Sequence, residues 1–126
     1  MIRFEHINQA CRNLDETQKF YQLLFPDWYV RVQGEFNGSR WMHFGNRQFY
    51  LSLGEGYHNF SQSPNTHIDH VGFVIEDGEK MKALLDAHDI PYETYESPET
   101  KYRIYVTDPD GTQIELVEYQ ETYELK

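Results

Sequence analysis

At 126 residues the chain suits one compact domain, or two half-domains of about 60 residues that bury a common core. A net charge of −10 leaves no basic footprint for a nucleic-acid backbone and disfavours an anionic membrane surface. Aromatics at 16% are too many for a disordered chain, and the single cysteine, Cys11, excludes an internal disulfide framework and suits a reducing compartment. No signal-peptide pattern opens the chain and no apolar run approaches ~18 residues. The expectation is a soluble, cytoplasmic protein.

Residues 3–10 read as a short strand of mixed polarity. Asn13 then predicts a helix start, with Glu16 at capping-box spacing. Thr17, Phe20, Tyr21 and Leu24 make one helical face, which Pro26 ends. Three strands follow, from Trp28 to Val32, Arg40 to Phe44 and Gln48 to Leu53, separated by Gly34, by Asn37-Gly38 and by Gly45-Asn46. Residues 54–66 carry the Gly, Ser, Pro and Asn of a linker. The order then repeats. A strand begins at His67 or Ile68, and Asp77 caps a helix whose stripe is Met81, Leu84, Leu85 and His88. Strands run from Pro91 to Tyr95 and from Tyr102 to Thr107. Asp108-Pro109-Asp110-Gly111 forms a turn, and Gln113 to Tyr119 is the last strand. An acidic tail spans 120–126. The chain is thus one domain of two modules, about 3–53 and 67–119.

The two modules align at a constant offset of 64 (His6 on His70) without a gap. Asn13 falls on Asp77, Thr17 on Met81, Tyr21 on Leu85, Trp41 on Tyr105, Tyr50 on Ile114 and Leu51 on Glu115. Equivalent positions therefore hold His6, His70 and Glu115, with Leu51 fourth. Strand alternation puts Ile114 and Leu116 on one face and Glu115 on the other, with Gln113 and Val117. Two imidazoles and a carboxylate suit Fe, Mn, Zn, Co or Ni as divalent ions and leave positions open for water or substrate.

The chain resembles the vicinal oxygen chelate superfamily, which includes glyoxalase I, bleomycin-resistance proteins, fosfomycin-resistance enzymes and extradiol dioxygenases. The resemblance rests on His6-Ile7-Asn8, Asn13-Leu14-Asp15, Phe20-Tyr21, His70-Val71-Gly72-Phe73, and Asp108-Pro109-Asp110-Gly111 leading to Ile114-Glu115-Leu116. It implies an α+β fold of two tandem βαβββ modules curling into a cup-shaped mixed sheet with the helices outside. It also implies metal ligation by His6, His70 and Glu115, and a homodimer in which His6 of one subunit meets His70 and Glu115 of the other. Glyoxalase I uses a fourth glutamate ligand that also moves the substrate proton. Leu51 stands at that position here, with Tyr50 or Ser52 if the register slips by one, and none is a carboxylate. Lactoylglutathione lyase activity is therefore not expected.

The function expected is that of a metal-dependent enzyme whose ion is a Lewis acid on a small oxygen-chelating substrate. Lyase, isomerase, transferase and dioxygenase chemistries all remain open. The alternative is a non-catalytic module that sequesters a drug-like or aromatic ligand, as bleomycin-resistance proteins do. Trp41, Tyr50, Leu51 and Tyr105 are the expected pocket walls, and Arg103 is a candidate for an acidic substrate group, as are Arg40 and Arg47. His43 is a candidate substrate contact. His58, His67 and His88 are assigned no ligand role, and Cys11 no nucleophilic one.

Overall fold

The structure, a computed structural model, describes residues 3–55 and 70–121. Most of the expected linker and acidic tail, with His58 and His67, lies outside the described residues. The chain divides into two compact units, Met1–Asn65 and Thr66–Lys126. Each is a βαβββ module, and the fold class is α+β, as the sequence predicts.

In the first unit β1 (His6–Cys11) leads into α1 (Leu14–Leu24), then β2 (Tyr29–Phe36), β3 (Ser39–Gly45) and β4 (Tyr50–Glu55). The sheet order is β1-β4-β3-β2, with β1 parallel to β4 and the other pairs antiparallel. Asn13 caps α1 through its side-chain oxygen, which accepts the Glu16 N–H at 3.1 Å. Asp15 and Glu16 place negative charge at the helix's positive end. Leu14, Thr17, Tyr21 and Leu24 are buried against Phe44, Leu51 and Leu53 of the sheet, each with 0% exposure.

The Asn37-Gly38 dipeptide makes the β2–β3 turn. Both residues have positive φ, 51° and 81°, as a two-residue turn matched to strand twist requires. Gly34 does not separate strands as the sequence suggests. It sits inside β2 opposite Trp41, where an added Cβ would come within 3.0 Å of the indole. Its missing side chain seats the tryptophan, so a residue read as a breaker is a packing position.

In the second unit β5 (Val71–Val74), α2 (Gly78–Ala87), β6 (Glu93–Tyr95), β7 (Thr100–Thr107) and β8 (Gln113–Tyr119) repeat the order as β5-β8-β7-β6. Asp77 caps α2 by accepting the Lys80 N–H. The buried stripe is Gly78, Met81 and Leu85. His88, expected to continue it, is instead the exposed C-cap. Asp108 is 4% exposed and accepts the Asp110 and Thr112 N–H groups, both at 2.9 Å. Gly111 takes φ 93°. This turn delivers β8 with Ile114 and Leu116 in the core.

The repeat is not gapless. Offset 64 holds through the first strands and helices, where Leu14 and Gly78 are equivalent helix starts. In the last strands it is 63: Glu55 accepts the Leu14 N–H at 3.0 Å and Glu118 accepts the Gly78 N–H at 2.7 Å. Leu51 pairs with Phe44 as Ile114 pairs with Val106, and Ser52 pairs with His43 as Glu115 pairs with Tyr105. The counterpart of Glu115 is therefore Ser52, and Leu51 corresponds to Ile114.

Glu55 also takes two hydrogen bonds from Arg40, at 2.6 and 3.2 Å. First the arginine and then the Leu14 N–H hold its pKa below the ordinary carboxylate value. A depressed folded-state pKa stabilises at pH values above about 4.3 and is lost as the pH falls through the lower folded value. Glu55→Gln is therefore expected to unfold more easily than wild type at pH 7, the gap closing below about pH 4. Urea titrations at pH 7 and pH 3.5 measure it; an undiminished gap at pH 3.5 would count against this account.

Candidate functional site

Each unit presents one polar cluster on the sheet face opposite its helix. In the second unit His70 stands one residue before β5 and faces Glu115 of β8, with Nε2 3.1 Å from Oε2. Glu115 is 5% exposed, and a carboxylate so deeply placed needs partners. Arg103 of β7 donates to its Oε1 and the Tyr105 hydroxyl to its Oε2. Arg103 also donates to Ser97 Oγ and Glu99 Oε1, each at 3.0 Å. That bond to Glu99, followed by the charge of Glu115, raises the Arg103 pKa. Hydrogen bonding to Glu115 raises that of Tyr105. The carboxylate is thus fixed in rotation and aimed at the imidazole. The Tyr105 ring meets His70 edge-on at 5.6 Å.

In the first unit His6 is held from both sides. Its Nδ1 lies 2.9 Å from Glu5 Oε1, and its ring stacks on Tyr50 at 4.9 Å and 13°. The Tyr50 hydroxyl donates to the same Glu5 oxygen at 3.2 Å. The bond to His6, followed by that to Tyr50, lowers the Glu5 pKa. A carboxylate on one ring nitrogen orients the imidazole, the usual support of a metal-binding histidine. His43 stacks on Tyr50 at 4.5 Å, and Trp41 packs beside His43 at 5.3 Å. Burial lowers the His43 pKa, favouring its neutral form. A groove beside this row is lined by Phe36, Trp41, His43 and Ser52.

The predicted residues therefore separate into two groups. Glu115, His70, Tyr105 and Arg103 meet in the second unit; His6, Tyr50 and Trp41 share a face of the first. Leu51 joins neither: it is fully buried on the helix side, because strand alternation turns it away from Tyr50 and Ser52. Arg40 is occupied by Asp15 and Glu55. Glu5 was not legible as a partner of His6, since neighbouring strand residues point to opposite faces; it precedes β1, where alternation is not yet enforced.

The donor set fits a divalent ion. Two ligands ~2.1 Å from one ion and at right angles to each other stand about 3 Å apart, which the His70–Glu115 spacing matches. Among the described residues no cluster of three or more His, Cys, Asp or Glu side chains is gathered; the second unit supplies two donors. No described helix is long and apolar enough to cross a membrane.

No protein-family model matches the sequence, and no curated protein matches it. Solved structures do match its fold. A glyoxylase/bleomycin resistance protein/dioxygenase domain from Frankia sp. EAN1pec superposes with TM-score 0.74 at 18% identity, covering 95% of this chain and 99% of that one. The trypanothione-dependent glyoxalase I of Leishmania major gives 0.75 at 22%, covering 94% and 87%. The fosfomycin resistance protein FosX of Listeria monocytogenes, complexed with Mn(II) and sulfate, gives 0.72 at 22%, covering 94% and 93%. At these identities the likeness is one of fold, which the chain shares with these three proteins.

Proposed function

We propose that the chain is a metalloenzyme of the vicinal oxygen chelate type, acting on a small substrate with two neighbouring oxygens. The observation that carries this reading is the His70–Glu115 pair: an exposed imidazole against a buried carboxylate that Arg103 and Tyr105 hold in place. Ion-holding pairs in proteins are supported in this way. The Mn(II) in the FosX structure supports a divalent ion in this fold. When bound, such an ion supplies Lewis-acid polarisation of the substrate oxygens.

His70 and Glu115 are the proposed donors from the second unit, and His6, oriented by Glu5, is the third. The reading includes a homodimer, with His6 contributed by the partner copy. Tyr105 and Arg103 keep Glu115 oriented. Trp41 and Tyr50 are proposed substrate walls. Ser52 stands where a fourth carboxylate would lie, so the reading does not include the glyoxalase I reaction. His43, kept toward its neutral form by burial and paired with Ser52 across the strands, is the proposed base of the first unit.

Elemental analysis tests it. Untagged protein reconstituted with Mn, Fe, Co, Ni or Zn is expected to hold near one equivalent. His6→Ala, His70→Ala and Glu115→Gln are each expected to fall to background, with circular dichroism unchanged. Retention of metal by all three variants would sink the assignment.

A second reading rests on the aromatic groove of Phe36, Trp41, His43 and Ser52: a module that sequesters an aromatic ligand without chemistry. It requires metal-free protein to quench tryptophan fluorescence on titration with aromatic cations.

A further inference from the structure

Arg31 lies at a fault in the first sheet. β2 and β3 pair regularly except between Val30 and Val32, where the register shifts and Arg31 is the extra residue. Bulges of this kind re-aim a side chain and gather beside binding sites. Here the guanidinium reaches across to β4 and sits 4.4 Å from the centre of the Tyr50 ring. That ring already carries His6 and His43, with Trp41 beyond. Arg40 and Arg103 each hold two carboxylates. Arg31 has no carboxylate partner among the described residues, in a chain with 21 acidic and 11 basic side chains. A guanidinium held over an aromatic ring, with no carboxylate partner, keeps N–H donors available to an anion, and its fork matches a carboxylate.

We propose that Arg31 is a specificity-determining residue that binds the carboxylate of a planar, monoanionic substrate whose body lies along the Tyr50–His43–Trp41 row. The proposal rests on the functional reading above and supplies its substrate class. One unpaired cation matches one negative charge. Glu5, bonded to the Tyr50 hydroxyl, repels a second. The ring row favours a flat apolar body over a hydrated one.

The test titrates wild type, Arg31→Lys and Arg31→Gln with benzoate, benzyl alcohol and methylphosphonate. The readout is the Nε–Hε resonance of Arg31, with tryptophan fluorescence for the variants, and each titration is run on metal-loaded and on chelator-stripped protein. Benzoate is expected to shift the Arg31 resonance and to bind Arg31→Gln about 10- to 100-fold more weakly, the loss of a charge-assisted pair. Arg31→Lys falls between, and benzyl alcohol binds wild type and variant alike. Equal benzoate affinity in Arg31→Gln overturns the proposal. So does the absence of saturable benzoate binding, or benzoate binding that chelation abolishes and Arg31→Gln does not. Tighter Arg31-dependent binding of methylphosphonate overturns the planar-monoanion assignment. Metal content, measured on the same samples, decides the metal reading separately.

Discussion

Arg103→Ala is expected to destabilise the protein by about 3–5 kcal/mol, the cost of leaving a buried carboxylate without its cation. Glu115 is only 5% exposed, and the guanidinium holds it together with Ser97 and Glu99. Removing the side chain takes a donor from all three and, among the described residues, the only cationic donor from Glu115, while Ser97 keeps Thr100 and Glu115 keeps the Tyr105 hydroxyl. The Tyr105 hydroxyl alone cannot neutralise the charge. The cost should therefore shrink when the charge is removed as well. In an Arg103→Ala/Glu115→Gln double variant most of the stability is expected to return, which a double-mutant cycle in urea measures directly. Metal affinity in Arg103→Ala should fall about 10- to 100-fold, as for other residues that support a ligand from behind. A loss below 1 kcal/mol, with no coupling to Glu115→Gln, would mean that the carboxylate is not held as described.

The second large effect separates two adjacent residues of β4. Leu51→Glu is expected to cost on the order of 5 kcal/mol and to leave the protein mostly unfolded, since total stabilities are about 5–15 kcal/mol. Leu51 has no exposed surface and lies between Ile7 and Phe44 in pairing, so a carboxylate there finds neither water nor a partner. Ser52→Glu, one residue on, is expected to change stability by less than about 1 kcal/mol. It faces His43 across the strand pair on the open side of the sheet. Thermal unfolding of the two variants decides the register. Equal tolerance would overturn it.

That register is also where the sequence stops being legible. Asn13 and Asp77 announce their helices, because a short polar side chain before an apolar stripe has one effective use. Asn37-Gly38 and Asp108-Pro109-Asp110-Gly111 announce their turns through the φ values that they require. The burial of Ile114 and Leu116 follows from alternation in β8. Pairing Leu51 with Glu115 does not survive, because the two units differ in loop length and the shift falls where composition carries no signal. The functional outcome, that no carboxylate stands at the fourth position, survives the shift because Ser52 is no more acidic than Leu51. Gly34 reads as a break when only its chain neighbours are considered; Trp41, seven residues on, explains it. Val30-Arg31-Val32 looks like plain strand alternation, and nothing in it signals the bulge. Among the described residues the site was legible as candidate donors, and not as the carboxylates and cations that hold them.

The strand order has a consequence for synthesis. In each unit the first strand has a single neighbour, and that neighbour is the last strand. At 5–20 residues per second, β1 waits roughly 2 to 8 s on the ribosome before β4 appears. Until then the β2–β3 hairpin, closed by its Asn-Gly turn, can form and β1 cannot dock. The bond from Glu55 back to the Leu14 N–H forms only when that wait ends. A nascent chain stopped before β4 is therefore left with an unpaired β1 and an uncovered apolar face on α1.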